Sequence, residues 1–251
     1  MNLLFIIILF LFLILLLYLC FNKKENFGLN SKIPKVIYLC YKTKNIPDYI
    51  IPNWKKIYPN YEIKLYDNND CINFLKTEFG QEHVDVFNFL KDGPIKADFW
   101  RVCIIYKYGG MYADIDIEPF VSIETILEND TTYVTVISVS NNSITPEILV
   151  SDKNNYILKE CIDKYIEMYR NKKPYEYWTY SICGIMTDVF KNNFNTLLDK
   201  DGIYYDKKNN KYQLLKEVYP TNNDYDHYAK YNNIKILNNR YKDYKNNEHV
   251  F

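Results

Sequence analysis

The side chains best able to do chemistry cluster between residues 92 and 119. Asp114 and Asp116 stand one residue apart in Met111-Tyr112-Ala113-Asp114-Ile115-Asp116-Ile117-Glu118-Pro119. Read as a strand, Met111, Ala113, Ile115 and Ile117 point one way and Tyr112, Asp114, Asp116 and Glu118 the other, with Pro119 as the stop. Neighbouring carboxylates raise each other's pKa unless something offsets their charge. A divalent cation is the simplest compensator. Mg²⁺ or Mn²⁺ takes oxygen ligands, typically one or two carboxylates plus substrate phosphates. Bound there, it acts as a Lewis acid toward a departing diphosphate. The competing reading is a solvated edge strand whose acidic face meets water. Context separates the two. Asp98 and Arg101 lie three apart, on one helix face, and Gly109-Gly110 follows them into the acidic run.

These residues need a helix, a turn and a strand to hold them. Asp92-Gly93-Pro94 is a helix start, with Asp able to cap and Pro suited to the first turn. Ile95, Phe99, Val102 and Tyr106 recur at helical spacing, and Gly109-Gly110 ends the helix. Upstream, the apolar run 36–41 predicts a buried first strand. A short helix over 47–58 and a strand over 61–66 follow, then helices over 70–79 and 83–90. Downstream, the pattern predicts a strand over 132–139 and an amphipathic helix over 155–169. Residues 203–205 and 212–214 flank Lys207-Lys208-Asn209-Asn210 as a hairpin. Strands alternating with helices early in the chain argue for an α/β fold.

The chain has 251 residues, enough for one medium domain. Lys+Arg and Asp+Glu are both 31, which argues against a nucleic-acid protein held by a basic surface. At 48% hydrophobic residues the chain is not intrinsically disordered. Residues 1–21 carry no charge, and Lys23 is the first. About 20 apolar residues span a bilayer as a helix, whereas the apolar region of a signal peptide is about 7–15 residues. The reading is an uncleaved anchor over 1–22 and a polar stalk over 23–30. Lys23 and Lys24 after the span favour a cytosolic domain. Six cysteines lack any CxxC spacing, so a zinc or thioredoxin motif is disfavoured. Cys103 and Cys161 fall in helical apolar patterns as core residues.

Ala97-Asp98-Phe99-Trp100-Arg101, followed by Tyr106-Lys107-Tyr108-Gly109-Gly110-Met111-Tyr112-Ala113-Asp114-Ile115-Asp116, resembles a D-x-x-R…GG-x-Y-x-D-x-D core. That core is found in the sugar-binding region of the DXD-containing glycosyltransferases (glycosyltransferase family 32). The family includes the fungal initiating α-1,6-mannosyltransferase, the inositol-phosphoceramide mannosyltransferases and the clostridial glucosylating toxins. Ile33-Pro34-Lys35-Val36-Ile37-Tyr38-Leu39-Cys40-Tyr41 resembles the family's first strand, with Tyr38 and Tyr41 where His and Trp are usual. Trp54, Pro59-Asn60-Tyr61 and Tyr66 fit the next segment. The likeness covers about residues 33–120 and is faint afterwards.

The resemblance implies a GT-A-like α/β nucleotide-binding sandwich over 31–251, with the DXD at a strand end. It implies a nucleotide-sugar donor (GDP- or UDP-sugar), Mn²⁺ or Mg²⁺, and retention of anomeric configuration. Asp116 is then the main metal ligand. Asp114 contacts the donor's ribose and sugar, and the metal through water. Asp98 and Arg101 bind donor sugar hydroxyls and the diphosphate, and Tyr41 stacks on the nucleobase. An anchored, lumen-facing, Golgi-type protein acting on a glycan, lipid or protein acceptor follows, against the direction in which Lys23 and Lys24 point. Mannose is favoured among the donor sugars.

For Asp98 and Arg101 the plain alternative is a structural helix salt bridge, worth about 0.2–0.5 kcal/mol if exposed. For Tyr41 it is a core aromatic. The Ser-Trp closing loop of the family is missing; Tyr177-Trp178-Thr179-Tyr180-Ser181, Asn238-Asn239-Arg240-Tyr241, His227 and His249 are the late-chain candidates to line an acceptor or phosphate site or to add a metal ligand. Two other functions stay open. One is a catalytically silent, membrane-bound sugar-binding relative; the other is a metal phosphohydrolase, which usually needs more His or Asp ligands.

Overall fold

The computed structural model describes residues 32–139, 143–220 and 227–238. The anchor and stalk expected over 1–30 lie outside them. Among the described residues no helix is long and apolar enough to cross a membrane.

The first half builds as its pattern predicts. β1 (Val36–Cys40) is an unbroken apolar run because both of its faces are covered, as in parallel sheets generally. Ile37 and Leu39 face one core and Tyr38 the other. Next come α1 (Ile50–Ile57), β2 (Glu62–Tyr66), α2 (Asn68–Glu78), α3 (Gln81–Phe89) and α4 (Gly93–Tyr108). β3 (Gly110–Ala113) and β4 (Glu118–Pro119) carry the acidic run. Beyond them are β5 (Thr131–Ile137), β6 (Ile144–Ser151), α5 (Tyr156–Arg170), α6 (Tyr177–Tyr180) and α7 (Ile182–Asn193). The expected hairpin is β7 (Gly202–Tyr205) against β8 (Lys211–Val218), followed by β9 (Tyr228–Tyr231) and β10 (Ile234–Asn238).

The strands form one mixed sheet in the order β2-β1-β3-β6-β5-β8-β9-β10-β4, with β7 beside β8. β2, β1 and β3 are parallel; β6 runs antiparallel to β3. β4 follows β3 closely in the chain yet pairs with β10 at the far end of the order, so the sheet curls. Phe87, Phe99, Trp100, Tyr165 and Phe190 from the helices cover one face. Trp54 of α1 covers the other with Met111, Val134 and Ile236. Each large side chain buried this way contributes about 1.5–3 kcal/mol. Cys103 and Cys161 are fully buried core residues, as expected, and all five described cysteines are free thiols.

Two local expectations are corrected. The alternation through Glu118 predicts one strand, but β3 stops at Ala113. Asp114 N–H donates to the Glu147 carbonyl at 2.9 Å, and then Ile117 N–H donates back to the Asp114 carbonyl at 3.1 Å, closing a turn. The carbonyl of Pro146, the neighbouring residue on β6, is taken by Arg101. Ile115 and Ile117 are buried all the same, so the alternation reports burial rather than a continuous strand. Pro119, expected as a stop, pairs with Leu237 in β4. The second correction is at Asp92. It precedes α4 without a side-chain cap bond, because its carboxylate accepts the Tyr175 hydroxyl instead.

Gly109-Gly110 is required twice over. Both residues have positive φ, 68° and 104°. A Cβ on Gly109 would sit 2.9 Å from the Lys153 nitrogen, and one on Gly110 would sit 2.9 Å from the Val36 carbonyl oxygen. The pair thus lets α4 turn directly into β3 against β1.

Candidate active site

Helix α4 presents Asp98 and Arg101 on one face, as their spacing predicts. Arg101 Nη2 lies 2.8 Å from Asp98 Oδ1 and 2.9 Å from Asp114 Oδ1. Its Nη1 donates to the Pro146 carbonyl at 2.6 Å. The Tyr112 hydroxyl donates to Asp114 Oδ1 at 2.7 Å, and the guanidinium carbon sits 4.4 Å from the Tyr112 ring centroid. The turn at 114–117 starts at the end of β3, so Arg101 and Tyr112 grip Asp114 where regular pairing gives out.

Asp98 and Arg101 are 7% and 5% exposed, so their salt bridge is buried. A buried ion pair is costly unless its hydrogen-bonding groups are satisfied. Asp98 Oδ2 meets that demand by accepting the backbone N–H of Ile182 at 3.0 Å, at the first turn of α7, where the helix dipole is positive. Burial pushes the Asp98 carboxyl up to about 6, with Arg101 and the Ile182 N–H pulling the other way.

A cavity of about 320 Å³ opens over this cluster. Tyr41 lines it from the end of β1, Lys96 and Arg101 from α4, Asp114 and Asp116 from the turn, and Tyr177 from α6. The structure therefore brings together four of the five predicted site residues in one wall. Asp98 is not part of that lining; it stands behind Arg101. The late-chain candidates divide. Tyr177 joins the cavity. Asn238 donates from its amide to Glu118 at 3.1 Å, and His227 lies 3.8 Å from Glu217. Asn239, Arg240, Tyr241 and His249 fall outside the described residues.

Sequence reasoning missed three participants. Tyr112 is one, read only as a face partner. The N-terminus of α7 is another. The third is Glu147 on β6, 7% exposed, whose Oε1 finds no hydrogen-bond partner among the described residues. Burial, and then the charges of Glu217, Asp114 and Asp116, push its carboxyl well above the usual range. The only signal for it was one Glu inside the apolar run Ile144–Ser151.

No group of three or more His, Cys, Asp or Glu among the described residues is arranged to hold a metal ion. The donor set nevertheless suits a hard cation that keeps water and phosphate in its shell. Arg101 faces the carboxylates of Asp98 and Asp114, and Lys42, Lys91 and Lys96 line the same cavity as Asp114 and Asp116. Asp114 is held by Arg101 and Tyr112, and Asp116 lines the cavity two residues further on.

Residues 47–133, which carry Asp98, Arg101 and the acidic turn, match the family described as the glycosyltransferase sugar-binding region containing DXD motif. Among individual relatives, a mannosyl phosphorylinositol ceramide synthase of Saccharomyces cerevisiae is 33% identical over 91 residues, 34% of this chain and 22% of that protein. An inositol phosphoceramide mannosyltransferase of Schizosaccharomyces pombe is 30% identical over 100 residues, 39% of this chain and 28% of the relative. The aligned stretches thus span under a third of these relatives' lengths. In fold, the chain is similar to the PaToxG glycosyltransferase, with a TM-score of 0.51 and 16% identity over 64% of this chain and 68% of that one.

Proposed function

We propose that this chain is a metal-dependent glycosyltransferase that moves a sugar from a nucleotide-sugar donor to an acceptor hydroxyl with retention of configuration. The observation that carries the reading is the convergence of Arg101, Asp114 and Asp116 on one cavity wall. In the reaction the bond from the anomeric carbon to the diphosphate breaks, and negative charge grows on the leaving oxygen. A bound Mn²⁺ or Mg²⁺ would offset that charge. Asp116 would hold the ion, with Asp114 reaching it through water. Arg101, fixed by three partners, would add a preorganised positive field that needs no rearrangement as the charge develops. Asp98 would act through Arg101 as a positioning residue, and Tyr41 would stack on the base. Mannose is the donor sugar favoured by the names of the fungal relatives, which also point to a lipid-linked acceptor. An anchor at residues 1–22 and a lumen-facing domain complete the proposal.

The test is hydrolysis of GDP-mannose and of UDP-sugars by the full chain, with and without Mn²⁺, in wild type and in Asp116→Ala. The reading requires metal-dependent turnover that Asp116→Ala abolishes while the protein stays folded. Metal-dependent donor binding without turnover would support the silent sugar-binding alternative instead. Unchanged activity and metal dependence in Asp116→Ala would remove the metal assignment.

A further inference from the structure

The short helix α6 carries Tyr177 and Trp178 side by side, edge to face, with ring centroids 5.0 Å apart at 76°. Tyr177 lines the cavity together with Arg101, Asp114 and Asp116. Trp178 is 80% exposed, the most exposed large hydrophobic among the described residues. The other two tryptophans, Trp54 and Trp100, are fully buried. A scattered surface aromatic needs no explanation, but this one directly follows a residue of the cavity lining and packs against its ring.

The segment that carries it is held at many points. Tyr180, two residues on, is fully buried. Its hydroxyl donates to the Lys173 carbonyl at 2.9 Å, and its own carbonyl accepts the Tyr165 hydroxyl at 2.8 Å. Thr179 donates to Glu176 at 3.2 Å. Tyr175 stacks on Tyr180 with centroids 5.5 Å apart and bonds to Asp92 at the start of α4. Four residues after Trp178, the Ile182 N–H binds Asp98, the partner of Arg101. The backbone on either side of Trp178 is thus anchored, while the indole itself meets the Tyr177 ring and is otherwise open to solvent.

We propose that Tyr177 and Trp178 form the acceptor subsite, a platform on which the C–H face of an acceptor hexose or cyclitol ring rests. One face of such a ring presents C–H bonds, while its rim presents hydroxyls. Aromatic faces carry negative charge density and attract the slightly positive C–H groups. A ring seated on Trp178 leaves its hydroxyls free to turn over Tyr177 into the cavity, where the anomeric carbon of the donor would lie. This assignment rests on the glycosyltransferase reading and adds to it the class and location of the acceptor ring.

Trp178 is its own reporter. In the full chain, iodide should quench one accessible tryptophan against the two buried ones. Titration with methyl α-D-mannoside or myo-inositol should at least halve the quenching slope and shift the emission to shorter wavelength, and Trp178→Ala should abolish both responses. Mn²⁺-dependent donor hydrolysis by the wild-type chain is measured on the same samples. Hydrolysis tests the enzyme reading, and shielding tests the platform without turnover. Four results would overturn the proposal: no shielding by either ring compound; shielding by phosphatidylcholine vesicles instead, which would make Trp178 a membrane contact; shielding by Mn²⁺ and GDP or UDP alone, which would make it part of the donor site; or an indole that iodide does not reach.

Discussion

The carboxylate of Asp98 accepts the backbone N–H of Ile182, 84 residues further along the chain, at 3.0 Å. This bond ties the helix that carries Arg101 to the first turn of α7. It also balances a charge that Arg101, shared with Asp114, neutralises only in part. From it follows a pH dependence with opposite signs for stability and activity. The folded Asp98 pKa is raised to about 6, above the roughly 3.9 of an unfolded aspartate. Between those values the folded state holds more protons than the unfolded one, so Asp98's contribution to stability falls as pH rises from about 4 to about 6, and is level above that. If Asp98 positions Arg101 as a carboxylate, donor hydrolysis should decline as pH falls through about 6. Asp98→Asn should lower the plateau and lose that acid limb. Parallel melting and rate profiles against pH check both signs; an unaltered acid limb in the variant would assign it to another group.

Arg101 binds two carboxylates and a carbonyl with one rigid fork, which a lysine ammonium does not reproduce. Removing one partner of a buried ion pair costs about 3–5 kcal/mol. Arg101→Ala should lower Tm strongly, and Arg101→Lys should retain part of the stability while losing most donor hydrolysis. Thermal melts and single-turnover rates on the same preparations separate the two effects. Equal stability for all three proteins would show that the cluster is not a structural centre.

Tyr41 lines the cavity from the end of β1. If it stacks on the nucleobase, its loss acts equally on bound donor and transition state, raising KM and sparing kcat. Stacking on a base is worth about 1–3 kcal/mol in single-stranded nucleic-acid complexes. Tyr41→Ala should therefore raise the donor KM by about one order of magnitude. A fall in kcat alone, or loss of the fold, would leave Tyr41 as a packing residue.

Gly109→Ala places a Cβ against the Lys153 nitrogen and Pro34 Cδ at a φ of 68°. A residue forced into such backbone costs about 1–3 kcal/mol before any clash is counted. The variant should melt earlier, and donor hydrolysis should fall further than in an equally destabilised core variant, because β3 carries Asp114. Chemical denaturation with paired activity assays provides the comparison.

Much of the site could be read from spacing alone. The i,i+3 separation of Asp98 and Arg101, the Gly-Gly break and the D-x-D are local features, governed by helix geometry, positive φ and charge repulsion. The parallel β1–β3 unit and the helices around it were legible for the same reason, since their apolar residues recur at the period of the element. What escaped depends on partners far along the chain. The chain leaves β3 after Ala113 with the Asp114 N–H on the carbonyl of Glu147, 33 residues downstream, and no pattern within residues 111–119 names that partner. Glu147 reads as one acid in an apolar strand until β6 sets it beside Asp114 and β8 brings Glu217 close. Tyr177 stands among the late-chain candidates, and only the placement of α6 sets it in the cavity lining with Arg101. Composition and periodicity determine which residues are buried and which elements form. Only the curled sheet decides which buried charges meet, because that depends on strand order and not on distance along the chain.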